Sequence, residues 1–274
     1  MARKKFNALP GFGLTMGVTI FFLSTVVLIP FAGLVVRTCG LSWHDFWHLA
    51  TTERALAAYR LTFGASLVAA FANALFGTLL AWVLVRYEFP GRRFIDAMVD
   101  FPFALPTAVA GLTLASLFAA NGWLGKYLVP LGVKGAYTPL GVIIALTFVG
   151  LPFVVRTLQP VLEQLEREVE EASATLGAGR LRTFVSVIAP SLFPSVLTGF
   201  TLAFARAIGE YGSVVFISSN KPFGGEIAPY LIMMRLEEYD YTGAIALAVV
   251  LLVFSFVLLG IINVIEQWAN RFQH

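Results

Sequence analysis

Long apolar runs, separated by short polar breaks, set the pattern of this chain. The runs are about Leu14 to Val36, Leu61 to Val85, Ile95 to Ala119, Pro139 to Val155, Leu192 to Ile217 and Gly243 to Ile265. Each is near the ~20 residues that a helix needs to cross a hydrocarbon layer. The pattern predicts an all-α integral membrane protein with six transmembrane helices. Pro30 predicts a kink in the first, and Pro152 lies near the end of the fourth. Pro102 and Pro106 break the third. Backbone freed by such breaks is tolerated only where protein or a water-filled cavity satisfies it. The third span is therefore expected to be central rather than lipid-facing. The expected organisation is a cytoplasmic tail over 1–13 and a first helix with an outer interfacial loop over 14–59. A five-helix core over 60–266 carries a loop at 160–185, and a second cytoplasmic tail covers 267–274.

Composition agrees with a membrane chain. Of 274 residues, 58% are hydrophobic and 13% charged, against about 25% charged in soluble domains. Mean hydropathy is +0.81. The single cysteine, Cys39, excludes an intrachain disulfide. The net charge of +3 says little about nucleic acid, and none is expected as a partner. In a membrane protein the basic residues are spent on topology. Arg3, Lys4 and Lys5 before an apolar run imitate a signal peptide, but the run is too long and lacks a small-x-small cleavage site. It reads as a retained span. With the N-terminus inside, the inner set of basic residues is Arg3, Lys4, Lys5, Arg86, Arg92, Arg93, Arg156, Arg167, Arg180, Arg182 and Arg271. The outer set is Arg37, Arg54, Arg60, Lys126, Lys134, Lys221 and Arg235. This bias places both termini in the cytoplasm.

Several polar positions invite chemistry. His44 and His48 stand at the i, i+4 spacing of a zinc pair, with Asp45 between them. No third ligand is evident, and Trp43, Phe46 and Trp47 suit a helix anchored in the membrane interface. Arg86 to Arg93 forms a tight turn at Pro90-Gly91. Asp96 and Asp100 open the third span and are expected to pair with Arg92 or Arg93; a proton relay would need them deeper. Arg206 lies roughly 24 Å along a helix from Pro190. A lone Arg at mid-membrane costs at least ~2.5 kcal/mol, so Glu210 at i+4 is its expected partner. The pair reads either as a packed ion pair or as part of an anion path, with Gly209 and Gly212 permitting close contact or a hinge. The outer loop Ser218 to Thr242 is mixed in character, fitting an external contact or an interfacial helix.

The stretch Arg156 to Thr183 reads as one helix. Val161, Leu165, Val169, Ala172 and Leu176 form its apolar face, and Glu163, Glu166, Arg167 and Glu170 fill the others. Gly177 and Gly179 end it. Charged and set between spans, this island must sit in water. It reads as a docking helix or as an ordinary solvated loop. The chain has no G-x-x-x-x-G-K-[ST], H-E-x-x-H or G-x-S-x-G, and few intramembrane acids. An enzyme or a self-powered transporter is thus not expected, whereas a subunit driven from outside fits.

Glu171-Ala172-Ser173-x3-Gly177-x9-Val187-x-Ala189-Pro190 resembles the EAA motif of ABC importer permeases, E-A-A-x3-G-x9-I-x-L-P. Glu171, Ala172, Gly177 and Pro190 match in register; Ser173, Val187 and Ala189 depart from it. Over about residues 10 to 266 the chain resembles the CysT-type sulfate/thiosulfate permeases. That likeness rests on Asp100 to Ala115, Pro152 to Glu163 and Gly209 to Ile217 among others; the Leu105 to Gly111 stretch is shared with molybdate permeases. The resemblance implies a type I ABC importer permease fold in a bacterial inner membrane. Glu171, Ala172, Ser173, Gly177 and Pro190 would form a cytoplasmic coupling helix seated in an ATPase subunit. Arg206, Gly209, Glu210, Gly212, Pro102 and Pro106 are the candidates for the path or gate. Implied partners are a second homologous permease, two ATP-binding subunits holding ATP and Mg, and an external sulfate-binding protein. A molybdate or tungstate permease working as a homodimer is the alternative, and a passive anion channel a more distant one.

Overall fold

Proline and glycine decide where the helices break, and small residues decide which of them meet. The computed structural model describes residues 12–165 and 167–270, with the backbone alone for 167–170, 266 and 268–270. Glu166, the side chains of Arg167, Glu168, Val169 and Glu170, and the terminal basic residues lie outside that description. Among the described residues all regular structure is helical. α1 is Phe12–Cys39, α2 is Trp43–Ala50 and α3 is Glu53–Arg86. α4 is Arg92–Val99, α5 is Phe101–Ala104 and α6 is Thr107–Phe118. α7 is Pro139–Gln164, α8 is Arg167–Thr175 and α9 is Arg180–Ile208. α10 is Val214–Ile217, α11 is Ala228–Glu237 and α12 is Tyr241–Asn270.

Five helices among the described residues are long and apolar enough to cross a membrane: α1, α3, α7, α9 and α12. The predicted third span is resolved instead into α4, α5 and α6. Leu105 is extended (φ −88°, ψ 136°), as the residue before a proline prefers. Pro102 and Pro106 sit at helix starts, where a missing N–H costs nothing. The expectation that this span is central is corrected within the chain. Phe101, Phe103, Val109 and Leu112 are exposed, and only Ala110, Gly111 and Ala115 of α6 are buried. Its small-residue face packs on α10 and the turn before it; its large side chains point away.

The centre is α3, α7 and α9, which pack against one another. α3 presents Ala65, Ala69, Ala70, Gly77 and Ala81 to its neighbours. A methyl group on Gly77 would lie 2.9 Å from Val154 Cγ1, and one on Gly199 would lie 3.0 Å from Val154 Cα. Val154 of α7 is thus held between glycines of α3 and α9. Small residues let helices approach where lipid supplies no hydrophobic drive. Asn73 is buried in the same layer without a hydrogen-bond partner among the described residues, in space that Gly150 leaves open.

Element boundaries also differ from the reading of the sequence. The fourth span runs on to Gln164, and the fifth starts at Arg180 and stops at Ile208, not Ile217. Helices α1 and α9 each contain a widened π turn, at Ser24–Leu28 and Phe184–Ile188. Pro30 and Pro190 follow these turns and cannot donate to the carbonyl four residues back, so the ladder widens ahead of them. Where α2 and the start of α3 lie, Arg54 grips Glu226 with two bonds (Nε–Oε2 2.8 Å, Nη2–Oε1 2.6 Å). The Glu226 side chain is 1% exposed. The Thr62 hydroxyl accepts the Ala228 N–H at 2.8 Å. Asp240 accepts Arg235 Nη1 at 2.7 Å and the Gly243 N–H at 2.9 Å, closing the start of α12. The loop Ser218 to Thr242 thus contains α11, packed on α3 and α12.

Gly199→Ala is expected to destabilise the protein by about 1–3 kcal/mol through overpacking against Val154. Gly64→Ala, with nothing within 4 Å, is expected to gain about 0.5–1 kcal/mol from helix propensity. Thermal unfolding in detergent checks the opposite signs; equal shifts would contradict the packing described.

Candidate functional site

The polar island is not one helix. α7 ends at Gln164, Leu165 turns extended (φ −71°, ψ 105°), α8 follows, and α9 begins at Arg180. The predicted single apolar face is corrected accordingly. From Arg156 onward α7 buries Leu158 and Leu162, Val161 and Leu165 are half-buried, and Ala172 and Leu176 are exposed. The Val169 side chain is outside the described residues. Glycine closes α8 in a defined way. Gly177 takes φ +79°. The Ala178 N–H donates to Ser173 O at 3.1 Å and the Gly177 N–H to Ala174 O at 2.9 Å. These two bonds are a Schellman cap, which needs a left-handed residue at the Gly177 position.

Ser173, one of the departures from the motif, adds a link of its own. Its hydroxyl pairs with Thr183 Oγ1 at 3.0 Å and ties α8 to the first turn of α9. Behind α8 lies a cleft of about 340 Å³ lined by Trp82, Ala174, Ala178, Arg180, Thr183, Phe184 and Ile188. Trp82 meets Phe184 edge-on at 5.8 Å, and the Arg86 guanidinium lies over Trp82 at 5.3 Å. The segment therefore rests on the end of α3. Its other side is open: Glu171 is exposed, and Leu176 and Leu181 are 88% and 77% exposed. Pro190 stands about three turns into α9, just after the π turn.

Asp96 and Asp100 do not pair with Arg92 or Arg93. Both are taken by Arg156 of α7, whose Nε and Nη2 form a fork on Asp100 at 2.8 and 2.5 Å. Its Nη1 donates to Asp96 Oδ1 at 2.6 Å. A guanidinium presents this fork geometry and an ammonium does not. The sequence missed the pairing because Arg156 lies 56 residues from Asp100. The proton-relay reading loses its support, since both carboxylates are engaged by one guanidinium.

At the far end of α9, Arg206 Nη1 meets Glu210 Oε2 at 2.5 Å. Glu210 is 2% exposed and also accepts the Ser213 N–H at 2.8 Å and its hydroxyl at 2.9 Å. The carboxylate thereby closes the turn that ends α9, and the Arg206 side chain remains 35% exposed. Two sequence motifs meet here. A methyl group on Gly212 would strike Thr107 Oγ1, and one on Gly111 would strike the Ser213 carbonyl. Pro106 starts α6 against this turn. Gly209 opens instead onto an apolar groove with Ile232 and Leu251, and Pro102 sits in α5 beside α7. These four positions are not one cluster.

α2 is capped by Ser42, whose hydroxyl accepts the Asp45 N–H at 3.1 Å. The same hydroxyl, with His44 behind it, holds the Asp45 carboxyl below its ordinary pKa. His44 and His48 stack at 6.2 Å, and no group of three metal-ligating side chains occurs among the described residues. Phe46 is buried while Trp43 and Trp47 are exposed, as an interfacial helix requires.

Residues 73–271 match the family described as "Binding-protein-dependent transport system inner membrane component". The chain belongs to this family. It is 51% identical to the sulfate transport system permease protein CysT of Synechocystis over 93% of this chain and 89% of that one. It is 47% identical to the CysT protein of Salmonella typhimurium, covering 97% and 96% of the two chains. Among solved structures, a bacterial ABC transporter involved in alginate import aligns with TM-score 0.75 at 14% identity, over 93% of this chain and 94% of that chain. The MetNI methionine ABC transporter aligns with TM-score 0.61 at 16% identity, over 84% and 99%. The fold is that of ABC importer permeases, and the protein is a multi-pass inner-membrane component. These relatives are permease subunits.

Gly177→Ala is expected to cost about 1 kcal/mol or more, because an L side chain resists the left-handed region. Gly177→Asn should cost less. Amide exchange over 173–178 should speed up for Ala more than for Asn; equal rates would contradict the cap.

Proposed function

We propose that this chain is the membrane permease subunit of an ATP-driven importer that carries sulfate or thiosulfate into the cytoplasm. The carrying observation is the α8 segment. It is closed by a Schellman glycine, fastened to α9 through Ser173 and Thr183, and presents Leu176 and Leu181 outward. That is the form of an element built to seat in another protein. The proteins most similar in sequence are sulfate permeases, which supports the substrate class. In this reading Glu171, Ala172, Ser173, Gly177 and Pro190 couple to an ATPase subunit that holds ATP and Mg on its own motifs. Two such subunits serve this chain and a second, homologous permease. The exposed faces of α5 and α6 suit that second permease. A soluble binding protein delivers the anion from outside, as a periplasmic protein is seen bound to the alginate transporter. Both termini lie in the cytoplasm, on the side of α8.

Arg206 is the positive charge placed to meet an oxyanion on the path. Glu210 keeps it neutralised when no anion is present, and Gly212 with Pro106 lets α6 and the turn after α9 move as a gate. Closure of the ATPase pair shifts a two-state equilibrium that α8 reports to the spans.

Labelled sulfate uptake in cells lacking sulfate import, supplied with this chain, partner permease, ATPase and binding protein, tests the reading. Glu171→Ala is expected to lower uptake at least about five-fold, the low end of measured couplings. Uptake of molybdate but not sulfate would overturn the substrate; sulfate flux without the ATPase would overturn the mechanism.

A further inference from the structure

Arg156 spends all of its donors. Nε and Nη2 hold Asp100, Nη1 holds Asp96 Oδ1 and Gln159 Oε1, and Nη2 also donates to the Asp96 backbone carbonyl at 2.8 Å. A guanidinium has five N–H groups, and these contacts use each of them. Gln159 returns a bond of 2.9 Å from Nε2 to Asp96 Oδ1. Beside this network Phe103 of α5 meets Phe153 of α7 edge-on at 5.2 Å. All three ion-pair partners are partly exposed, with side chains 32%, 42% and 50% open. Screening by water limits what such a network adds to stability. Its geometry is nevertheless fixed from every donor.

The place of the network matters. Arg156 sits about two turns before the end of α7. Only Leu165 and Glu166 separate that end from α8. On the other side, Asp100 is the junction between α4 and α5, the first of two breaks in the segmented span. Beyond the second break, α6 lies so close to the Gly209 to Ser213 turn that neither Gly111 nor Gly212 has room for a methyl group. That turn is closed by Glu210, which holds Arg206. A run of packed and hydrogen-bonded groups therefore joins α7 to Arg206, and α8 follows α7 two residues on in the chain.

We propose that Arg156 is the positioning residue that makes the segmented span α4–α6 follow α7, so that movement of α8 reaches the Arg206 turn. This rests on α8 being the ATPase contact. Without the fork, α7 and α8 still respond to the ATPase, but α4 to α6 lag behind and the turn stays shut. Rigid pieces joined at defined breaks are the elements through which two-state coupling travels.

The test uses the complete importer in liposomes, with sulfate moved per ATP hydrolysed as the readout. Arg156→Lys keeps the charge and loses the fork. It should leave ATP hydrolysis stimulated by the binding protein and lower sulfate per ATP at least about five-fold. Asp96→Asn, which removes the charge of one partner alone, should lower the ratio in the same direction by less, and it decides the matter if Arg156→Lys fails to assemble. An unchanged ratio in the assembled variants overturns the proposal. So does a fall in hydrolysis and transport in parallel, which marks a structural staple. If the unaltered complex shows no ATP-dependent sulfate uptake, the proposed function fails instead.

Discussion

A polypeptide in lipid has no water to satisfy its backbone, so each break in a membrane helix must be closed by the chain itself. This constraint explains the polar residues of the structure better than any catalytic requirement. The end of α9 is closed by Glu210, which accepts the Ser213 N–H. The approach to α7 is closed by the Tyr137 N–H on the Ile217 carbonyl at 2.7 Å. The start of α11 is closed by Thr62, which accepts the Ala228 N–H. A widened turn precedes each of Pro30 and Pro190. Each closure satisfies peptide groups that a helix break would otherwise leave bare.

Around these closures the molecule divides into a tight centre and looser arms. α3, α7 and α9 are locked by glycine contacts on either side of Val154. α1 buries nothing among its described residues and touches α12 through pairs such as Phe31 and Phe256. α4 to α6 are held at one end by Arg156 and at the other by the Gly212 turn. A rigid centre with a segmented arm held at both ends is suited to switching between discrete arrangements.

Much of this was legible in the sequence, because lipid demands long apolar runs and leaves few other readings. Five runs appear as single long helices, though the ends moved. Arg54 and Arg60, which the apolar pattern leaves in the outer loop, lie in the first turns of α3. The Pro102 and Pro106 breaks were legible because proline constrains its own neighbours. Gly177 was legible as a helix end, and its cap gives the physical reason. Long-range pairing was not legible. Arg156 with Asp100, and Arg54 with Glu226 across 172 residues, depend on which helices become neighbours. That is decided by alanine and glycine positions, which carry no local signal of their partner. For the same reason the prolines of the third span point to the centre, a place that α3 takes instead. The meeting of the Thr107 to Gly111 stretch with Gly212 and Ser213 was equally hidden.

The central claim is that α8 and the turn after it seat in an ATPase subunit. Site-directed cross-linking tests it most directly. With Cys39→Ser as background, since Cys39 is exposed, Leu176→Cys should cross-link to the ATPase subunit in membranes, and ATP should change the yield. Leu131→Cys, exposed in the loop between α6 and α7, should give none. Equal cross-linking from both positions, or none from Leu176→Cys in an assembled complex, would contradict the account.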